Sequence, residues 1–140
     1  MTEILLTSLR NAKLKATPAR KHILDIFSVG CHPINAEFIY AKLKSKKINQ
    51  VTVYRTLSSL EQARIIKKVN LRKDSAYYEL ADNHHHHVVC KGCGKIESFD
   101  TCALTELSKN ILKNSSHFKV IDDHSLEMFG TCKACQKLER

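Results

Sequence analysis

Apolar residues in the first half of the chain recur at helical spacing in four successive segments. The first covers residues 3–13. Thr17, which is followed by proline, opens the second, because threonine caps helices and proline fits the first helical turn. Asn35 and Asn49 can cap the third and fourth segments. The pattern predicts four helices, although residues 50–57 also alternate like a strand and carry β-branched side chains, which strands favour.

Two short alternating runs follow the fourth segment, at residues 65–71 and 76–80, with a polar stretch between them. This pattern predicts a β-hairpin. A helix pair over residues 35–62 followed by a hairpin is typical of a winged helix–turn–helix domain, in which the second helix of the pair enters the major groove of DNA. The exposed side of the fourth helix is therefore the predicted base-reading surface.

Polar and basic side chains supply the candidate DNA contacts. Arg55 can bind guanine edges or phosphate, and Tyr54 can place its ring on a thymine methyl or its hydroxyl on phosphate. Partial burial of Tyr54 in the core is the alternative. Lys15 and Arg20 suit the DNA backbone or the minor groove better than base edges. The residues predicted to line the exposed side of the fourth helix are Thr52, Tyr54, Arg55, Thr56, Ser58 and Ser59.

The second half of the chain shows a different pattern after a polar linker at residues 81–83. Apolar residues between positions 104 and 112 predict one helix, which Asp100 or Thr101 can cap. Gly92 and Gly94 permit a tight turn. Four short runs predict strands, at residues 88–90, 95–99, 118–121 and 125–129. We expect an α+β protein, with a winged helix–turn–helix domain over residues 1–81 and an α/β domain over residues 84–140.

The formal charge of +9 supports this division. Residues 1–80 hold 15 Lys and Arg against 6 Asp and Glu, whereas residues 81–140 hold 8 against 8. A solvated basic face is the alternative, but segregation of the whole excess favours a domain that binds nucleic acid. The first ten residues fit neither a secretory signal nor a membrane span. We therefore expect a cytoplasmic protein that makes no membrane contact.

Four of the six cysteines form two Cys-x-x-Cys pairs, Cys90 with Cys93 and Cys132 with Cys135. In a reducing compartment such cysteines are more often metal ligands or redox thiols than disulfides. Two pairs suit one tetrahedral Zn²⁺, whereas a redox dithiol needs only one pair. The sequence predicts a closed, structural zinc site. Cys31 and Cys102 stand alone, and the sequence assigns them no role.

Four consecutive histidines, residues 84–87, precede the first cysteine pair. Side chains alternate between the two faces of an extended segment. His85 and His87 are therefore predicted to face one way, and His84 and His86 the other. We expect two separate metal sites rather than one cluster of four imidazoles.

The order of these motifs resembles the ferric uptake regulator family. The resemblance spans about residue 10 to Cys135 and is carried by four motifs, Thr17-Pro-x-Arg20, Thr52-Val-Tyr-Arg55, the segment from His84 to Lys95 and the segment from His124 to Cys135. It implies a homodimeric, metal-dependent repressor that binds a palindromic, A/T-rich DNA operator. It also implies that the C-terminal α/β domain is the dimerisation domain.

The resemblance implies three metal sites. The structural zinc maps onto Cys90, Cys93, Cys132 and Cys135. A sensor site for Fe²⁺ or Zn²⁺ at the domain junction maps onto His32, Glu79, His85 and His87. A further site maps onto His84, His86 and His124, with Glu106 as the candidate acid. One ion bound by both domains would fix the angle between them and so match the two recognition helices of a dimer to successive major grooves.

Two departures from the family pattern affect the choice of metal. Ser98 stands where many relatives have an acidic sensor ligand, and Glu97 is expected on the opposite strand face. His86 stands where ferric members often have Asp, and the added nitrogen shifts preference toward zinc. We expect an iron-responsive repressor of metal-uptake genes. A zinc-responsive repressor is the first alternative, and a peroxide sensor is disfavoured.

The sequence does not favour an enzyme. A zinc hydrolase or deaminase needs an open coordination position and a nearby acid. The chain has no His-Glu-x-x-His motif and no His-x-Glu paired with Pro-Cys-x-x-Cys.

Overall fold

A computed structural model describes residues 3–82 and 84–138 of the chain. The chain forms two compact units, Met1–Asn83 and His84–Arg140. The elements of the N-terminal unit are α1 Glu3–Asn11, α2 Pro18–Val29, β1 Ile34–Asn35, α3 Ala36–Leu43, a short 3₁₀ turn Lys44–Lys46, α4 Gln50–Gln62, β2 Ile66–Val69 and β3 Tyr77–Leu80. Those of the C-terminal unit are β4 His86–Cys90, β5 Ile96–Phe99, α5 Leu104–Asn114, β6 Glu127–Gly130 and α6 Lys133–Leu138.

The three predicted helix caps are confirmed. The Thr17 hydroxyl accepts from the backbone N–H of the third residue of its helix at 3.3 Å. Asn35 Oδ1 accepts from Phe38 N–H at 2.9 Å, and Asn49 Oδ1 accepts from Thr52 N–H at 2.8 Å. These bonds satisfy backbone donors that lack a partner within the helix.

The ambiguous segment at residues 50–57 is helical and belongs to α4. Val53, Leu57 and Leu60 recur at helical spacing and are at most 1% exposed. They pack with apolar residues of α1, α2 and α3 in one core. A strand would send neighbouring apolar residues to opposite faces, so the helix is the conformation that buries them together.

The predicted hairpin is confirmed and forms part of a three-stranded sheet of order β1-β3-β2. Strand β2 pairs antiparallel with β3, with Ile66 opposite Leu80. Strand β1 is only two residues long and pairs antiparallel with β3 on its other side. Strand β1 was not predicted, because two residues cannot show a strand alternation.

The C-terminal unit is built on a sheet of order β5-β4-β6. Strand β4 is central, antiparallel to β5 and parallel to β6. In the parallel pair Cys90 stands opposite Gly130. The two Cys-x-x-Cys segments therefore leave the sheet at the same end, one after β4 and the other after β6.

Two predictions for this unit were wrong, and one element was not predicted. Residues 118–121 are not a strand, and Phe118 and Val120 are more than half exposed. Neither Asp100 nor Thr101 caps α5, whose first turn follows Ala103 without a side-chain cap. The second cysteine segment continues into α6, which was not predicted. Local composition alone did not determine the conformation of these segments.

Helix α5 buries none of its residues within the C-terminal unit, although its apolar side chains lie at helical spacing. Leu107 and Ile111 are each 50% exposed. An apolar helix face of this kind normally packs against another element. Among the described residues, no helix is long and apolar enough to span a membrane.

Candidate metal centres and DNA-contacting helix

The two cysteine segments bring four sulfurs together. One ligand atom from each of Cys90, Cys93, Cys132 and Cys135 lies within 4.8 Å of all the others. The Sγ atoms of Cys93 and Cys132, from different segments, are 3.7 Å apart. Two sulfurs bound to one zinc at about 2.3 Å and a tetrahedral angle would stand about 3.8 Å apart. The four residues therefore fit the predicted zinc site.

Backbone geometry shapes the first cysteine segment. Cys90 N–H donates to the Lys95 carbonyl at 2.8 Å, and Gly94 N–H donates to the Cys90 carbonyl at 2.9 Å. Gly94 has φ 75°, which favours glycine. A Cβ on Gly92 would lie 3.0 Å from Sγ of Cys135. Both glycines are therefore needed, one for the turn and one for space beside the sulfurs.

The thiols of this cluster differ in pKa. Backbone hydrogen bonds, first from Cys93 and then from Cys132, lower the pKa of the Cys90 thiol to about 6. Interaction with the Cys132 thiol raises the pKa of Cys135 to about 12. Without a cation, ionisation of one thiol opposes ionisation of the next. Four thiolates so close together need a compensating cation such as Zn²⁺.

The histidines alternate between the two sides of their strand as predicted. The ring centroids of His85 and His87 are 5.0 Å apart. On the other side, His84 and His86 are 5.3 Å apart, and both lie near His124, at 5.1 Å and 5.3 Å respectively. The run of four imidazoles is thus divided into two groups.

The group around His124 contains a cysteine. Ligand atoms of His84, His86, Cys102 and His124 lie within 4.8 Å of one another. The predicted Glu106 is not part of this group. It lies in the first turn of α5, where its carboxylate accepts a hydrogen bond from the ammonium of Lys109 at 2.8 Å. Cys102 was not predicted as a ligand, because an isolated cysteine is not part of a spaced pair such as Cys-x-x-Cys.

Burial favours the neutral, metal-binding form of His86, which is 4% exposed. Desolvation, followed by the nearby imidazoles of His124 and His84, lowers its pKa below the usual value. The ring hydrogen bonds to the backbone of Leu126. A ring nitrogen held by the backbone leaves the other nitrogen oriented for a ligand.

The four residues assigned to the sensor site belong to two units. In the N-terminal unit, Glu79 lies on β3, is 4% exposed, and has Oε1 3.3 Å from Nζ of Lys67. His32 is exposed in the turn before β1. In the C-terminal unit, His87 is 1% exposed beside His85. The grouping of all four residues around one ion stays a prediction.

The strand pairing supports the predicted orientation of the two residues on β5. Ser98 stands opposite His87, and Glu97 stands opposite Val88. Because neighbouring residues of a strand face opposite sides, Glu97 points away from the side that carries His87. A carboxylate from this strand is therefore absent beside His87.

Helix α4 presents most of the predicted polar residues to solvent. Arg55 and Ser58 are exposed, Tyr54 is 45% exposed, and Thr52 is half-buried. Partial core burial of Tyr54, the alternative interpretation, is thus not observed. Thr56 was expected on the exposed side but is only 8% exposed, because it lies on the core side of α4 beside Leu57.

Val51 is an exposed apolar residue on the same helix that the sequence analysis did not select. It is 57% exposed and lies one helical turn before Tyr54 and Arg55. The sequence could have indicated this exposure, because Val51 falls outside the helical spacing of the buried apolar residues of α4. An exposed apolar side chain there can contact a thymine methyl in the major groove.

Two of the side chains predicted to contact DNA, Tyr54 and Arg20, are held by hydrogen bonds. The Tyr54 hydroxyl donates to Glu37 Oε1 at 3.0 Å, and this bond, together with partial desolvation, raises the tyrosine pKa above its usual value. Tyr54 is therefore neutral at physiological pH. Arg20 Nη1 donates to the Lys15 carbonyl at 2.8 Å, which fixes the backbone beside the exposed Lys15 side chain.

A basic winged helix–turn–helix joined to a domain with thiolate and imidazole clusters defines a class of protein, the metal-dependent transcriptional regulators. The model of the family described as "Ferric uptake regulator family" matches residues 11–129. The chain belongs to the ferric uptake regulator family.

Individual relatives agree with this assignment. A ferric uptake regulation protein of Yersinia pestis is 34% identical over 130 residues, covering 90% of this chain and 86% of the relative. The Vibrio cholerae ferric uptake regulator superposes with a TM-score of 0.75 at 31% identity, over 90% of this chain and 98% of the other. The Helicobacter pylori ferric uptake regulator, which is described as having three functional metal-binding sites, gives a TM-score of 0.75 at 30% identity, over 96% and 90%.

Proposed function

We propose that the chain is an iron-responsive repressor of metal-uptake genes, which acts in the cytoplasm as a homodimer on a palindromic, A/T-rich operator. The observation that carries the proposal is the separation of the four histidines at residues 84–87 into two groups beside a four-cysteine cluster that fits zinc. The segment that leads through β4 to Cys90 thus offers ligands for a structural metal and further imidazoles for regulation.

The sensor site of this proposal consists of His32, Glu79, His85 and His87. Two of its residues belong to the DNA-binding unit and two to the dimerisation domain. Nitrogen and carboxylate donors together suit Fe²⁺, although zinc binds such sites more tightly and the metal available in the cell decides occupancy. A bound ion would supply the positive charge that draws three imidazoles and one carboxylate together.

Two of the sensor residues, Glu79 and His87, would couple ion binding to the two units, because each is held in a different one. Glu79 is buried on β3 and paired with Lys67 of β2, so that its position is tied to the hairpin of the DNA-binding unit. His87 is buried on β4, so that its position is tied to the sheet of the other unit. Donors held this rigidly restrict the angle between the units when they share an ion.

The exposed face of α4 supports operator binding. Arg55 and Ser58 offer groups for base edges and phosphate, while Tyr54 and Val51 offer apolar surface to thymine methyls. This composition favours sites rich in A·T pairs. The apolar face of α5, with Leu107 and Ile111 half exposed, supports a dimer whose two copies of α4 read the halves of a palindrome.

The test measures operator affinity by fluorescence anisotropy for protein loaded with structural zinc. We expect tight binding with Fe²⁺ under anaerobic conditions and weak binding with a mild chelator. Arg55→Ala should abolish specific binding without changing metal content, whereas Arg10→Ala, which removes an equal charge from α1, should change affinity only slightly. Equal operator affinity of wild type and Arg55→Ala would show that α4 is not the recognition helix.

A second variant separates sensing from DNA contact. His87→Ala should retain the four-cysteine zinc and lose the response to Fe²⁺. If this variant responds to Fe²⁺ as the wild type does, His87 is not a sensor ligand.

A further inference from the structure

Cys102 lies in the segment between β5 and α5. It belongs to a group of side chains here called the His84 cluster, which comprises His84, His86, Cys102 and His124. Its Sγ is 3.5 Å from Nε2 of His124. All four residues belong to the C-terminal unit. Cys31, the other cysteine outside the four-sulfur site, is exposed in the N-terminal unit.

The sulfur–nitrogen distance fits a shared ion. With bonds of about 2.3 Å to sulfur and about 2.05 Å to nitrogen, two such ligands at a tetrahedral angle stand about 3.6 Å apart. The observed 3.5 Å agrees with this separation. One ligand atom from each of the four residues lies within 4.8 Å of all the others.

His86 gives an independent indication of a ligand. Its Nε2 is buried and has no hydrogen-bond partner among the described residues. A buried polar nitrogen left without a partner is unfavourable. A metal ion at the centre of the cluster would satisfy this nitrogen, while the bond to the Leu126 backbone orients the ring.

We propose that the Cys102 thiolate is the fourth ligand of a three-histidine, one-cysteine site, and that this site prefers Zn²⁺ to Fe²⁺. Thiolate and imidazole donors suit zinc, whereas the sensor set includes a carboxylate. The nearby Glu106 is engaged by Lys109 and is not needed to complete four ligands. The site therefore holds a metal different from the co-repressor ion.

Cobalt provides the test, because a Co²⁺ ion bound to thiolate absorbs in the near ultraviolet and Co²⁺ accepts tetrahedral zinc ligands. Protein that retains its four-cysteine zinc is titrated with Co²⁺, and released zinc is measured in the same samples. We expect the near-ultraviolet band in wild type and in the control Cys31→Ser, but not in Cys102→Ser, with no zinc released. A band of equal strength in Cys102→Ser, or no band in wild type, would overturn the proposal.

Two further measurements keep the test decisive if Cys102→Ser folds poorly. In the wild type, Zn²⁺ added beyond the structural equivalent should slow alkylation of Cys102 but not of Cys31, as read by mass spectrometry. His124→Ala should lose this protection while keeping Cys102 in place. Alkylation of Cys102 at the same rate with and without added zinc contradicts ligation. None of these measurements uses DNA, so their outcome is independent of the repressor function.

Discussion

The two units of this chain are stabilised in different ways. The N-terminal unit has a continuous apolar core drawn from four helices and the hairpin. In the described part of the C-terminal unit, the buried residues are only His86, His87, Val89 and Cys90, all on β4. The first unit has the core of an independently folding domain, whereas the second has few buried apolar residues, and we expect metal and a second copy to contribute to its stability.

This contrast explains why the metal ligands are concentrated in the second unit. A small domain with little buried apolar surface gains stability from structural zinc or from oligomerisation. Imidazoles and a thiol occupy buried positions of β4 that would carry apolar side chains in a larger core. We therefore expect the stability of this unit to depend on the metal that it binds.

The largest effect should follow loss of the four-cysteine site. Structural zinc contributes roughly 10–16 kcal/mol of apparent binding free energy in small zinc domains, more than such a domain's own stability. Cys132→Ser should therefore lose zinc and unfold residues 84–140, while the N-terminal unit stays helical. Zinc analysis together with two-dimensional NMR would show this, with Cys31→Ser as the control. If the Cys132→Ser protein lacks zinc but keeps the NMR signals of its C-terminal unit, the proposed difference in how the two units are stabilised is wrong.

Core truncation should distinguish the units next. Leu57→Ala in α4 removes a side chain that is 1% exposed and should cost about 2–5 kcal/mol. Leu107→Ala in α5 removes a side chain that is 50% exposed and should cost far less in a monomeric form. Urea unfolding followed by circular dichroism gives both values. Similar losses for the two variants would mean that α5 is packed within its own unit.

A charge on the apolar face of α5 should weaken the dimer. Ile111→Glu is expected to raise the dimer dissociation constant at least about tenfold, which corresponds to about 1.4 kcal/mol. Lys113→Glu places the same carboxylate on the opposite side of the helix and should have little effect. Sedimentation equilibrium compares the two. Equal dimer affinity for both variants would assign the interface to another surface.

The smallest effect concerns a helix cap in the N-terminal unit. Asn49→Ala removes the acceptor for Thr52 N–H and should cost about 1 kcal/mol. Asn49→Ser keeps an acceptor oxygen and should restore most of this loss in thermal unfolding. If alanine and serine variants unfold at the same temperature, the cap contributes nothing to stability.

Sequence reasoning succeeded where local signals are strong and self-contained. The caps at Thr17, Asn35 and Asn49 each come directly before the first residue of a helix. The alternation of the histidines at residues 84–87 follows from the geometry of an extended chain alone. The spacing of the paired cysteines is enough to predict a shared metal site. The N-terminal unit was therefore predicted nearly element by element.

Sequence reasoning failed where tertiary neighbours decide. The apolar run containing Phe118 and Val120 resembles a strand but has no pairing partner in the described chain. Cys102 meets His124 across 22 positions, a contact that no local pattern shows. Thr56 is polar by type but lies on the core side of α4. Each of these residues is placed by packing rather than by its immediate sequence.

The central claim is that a regulatory ion, separate from the structural zinc, controls DNA binding. The direct measurement is operator affinity for wild-type protein that keeps its four-cysteine zinc, with and without Fe²⁺ at the sensor residues. A coupling free energy of the usual size predicts that affinity falls about 5–150-fold when Fe²⁺ is removed, and that returning Fe²⁺ restores it. Unchanged affinity across this cycle, with the zinc retained throughout, would contradict the account.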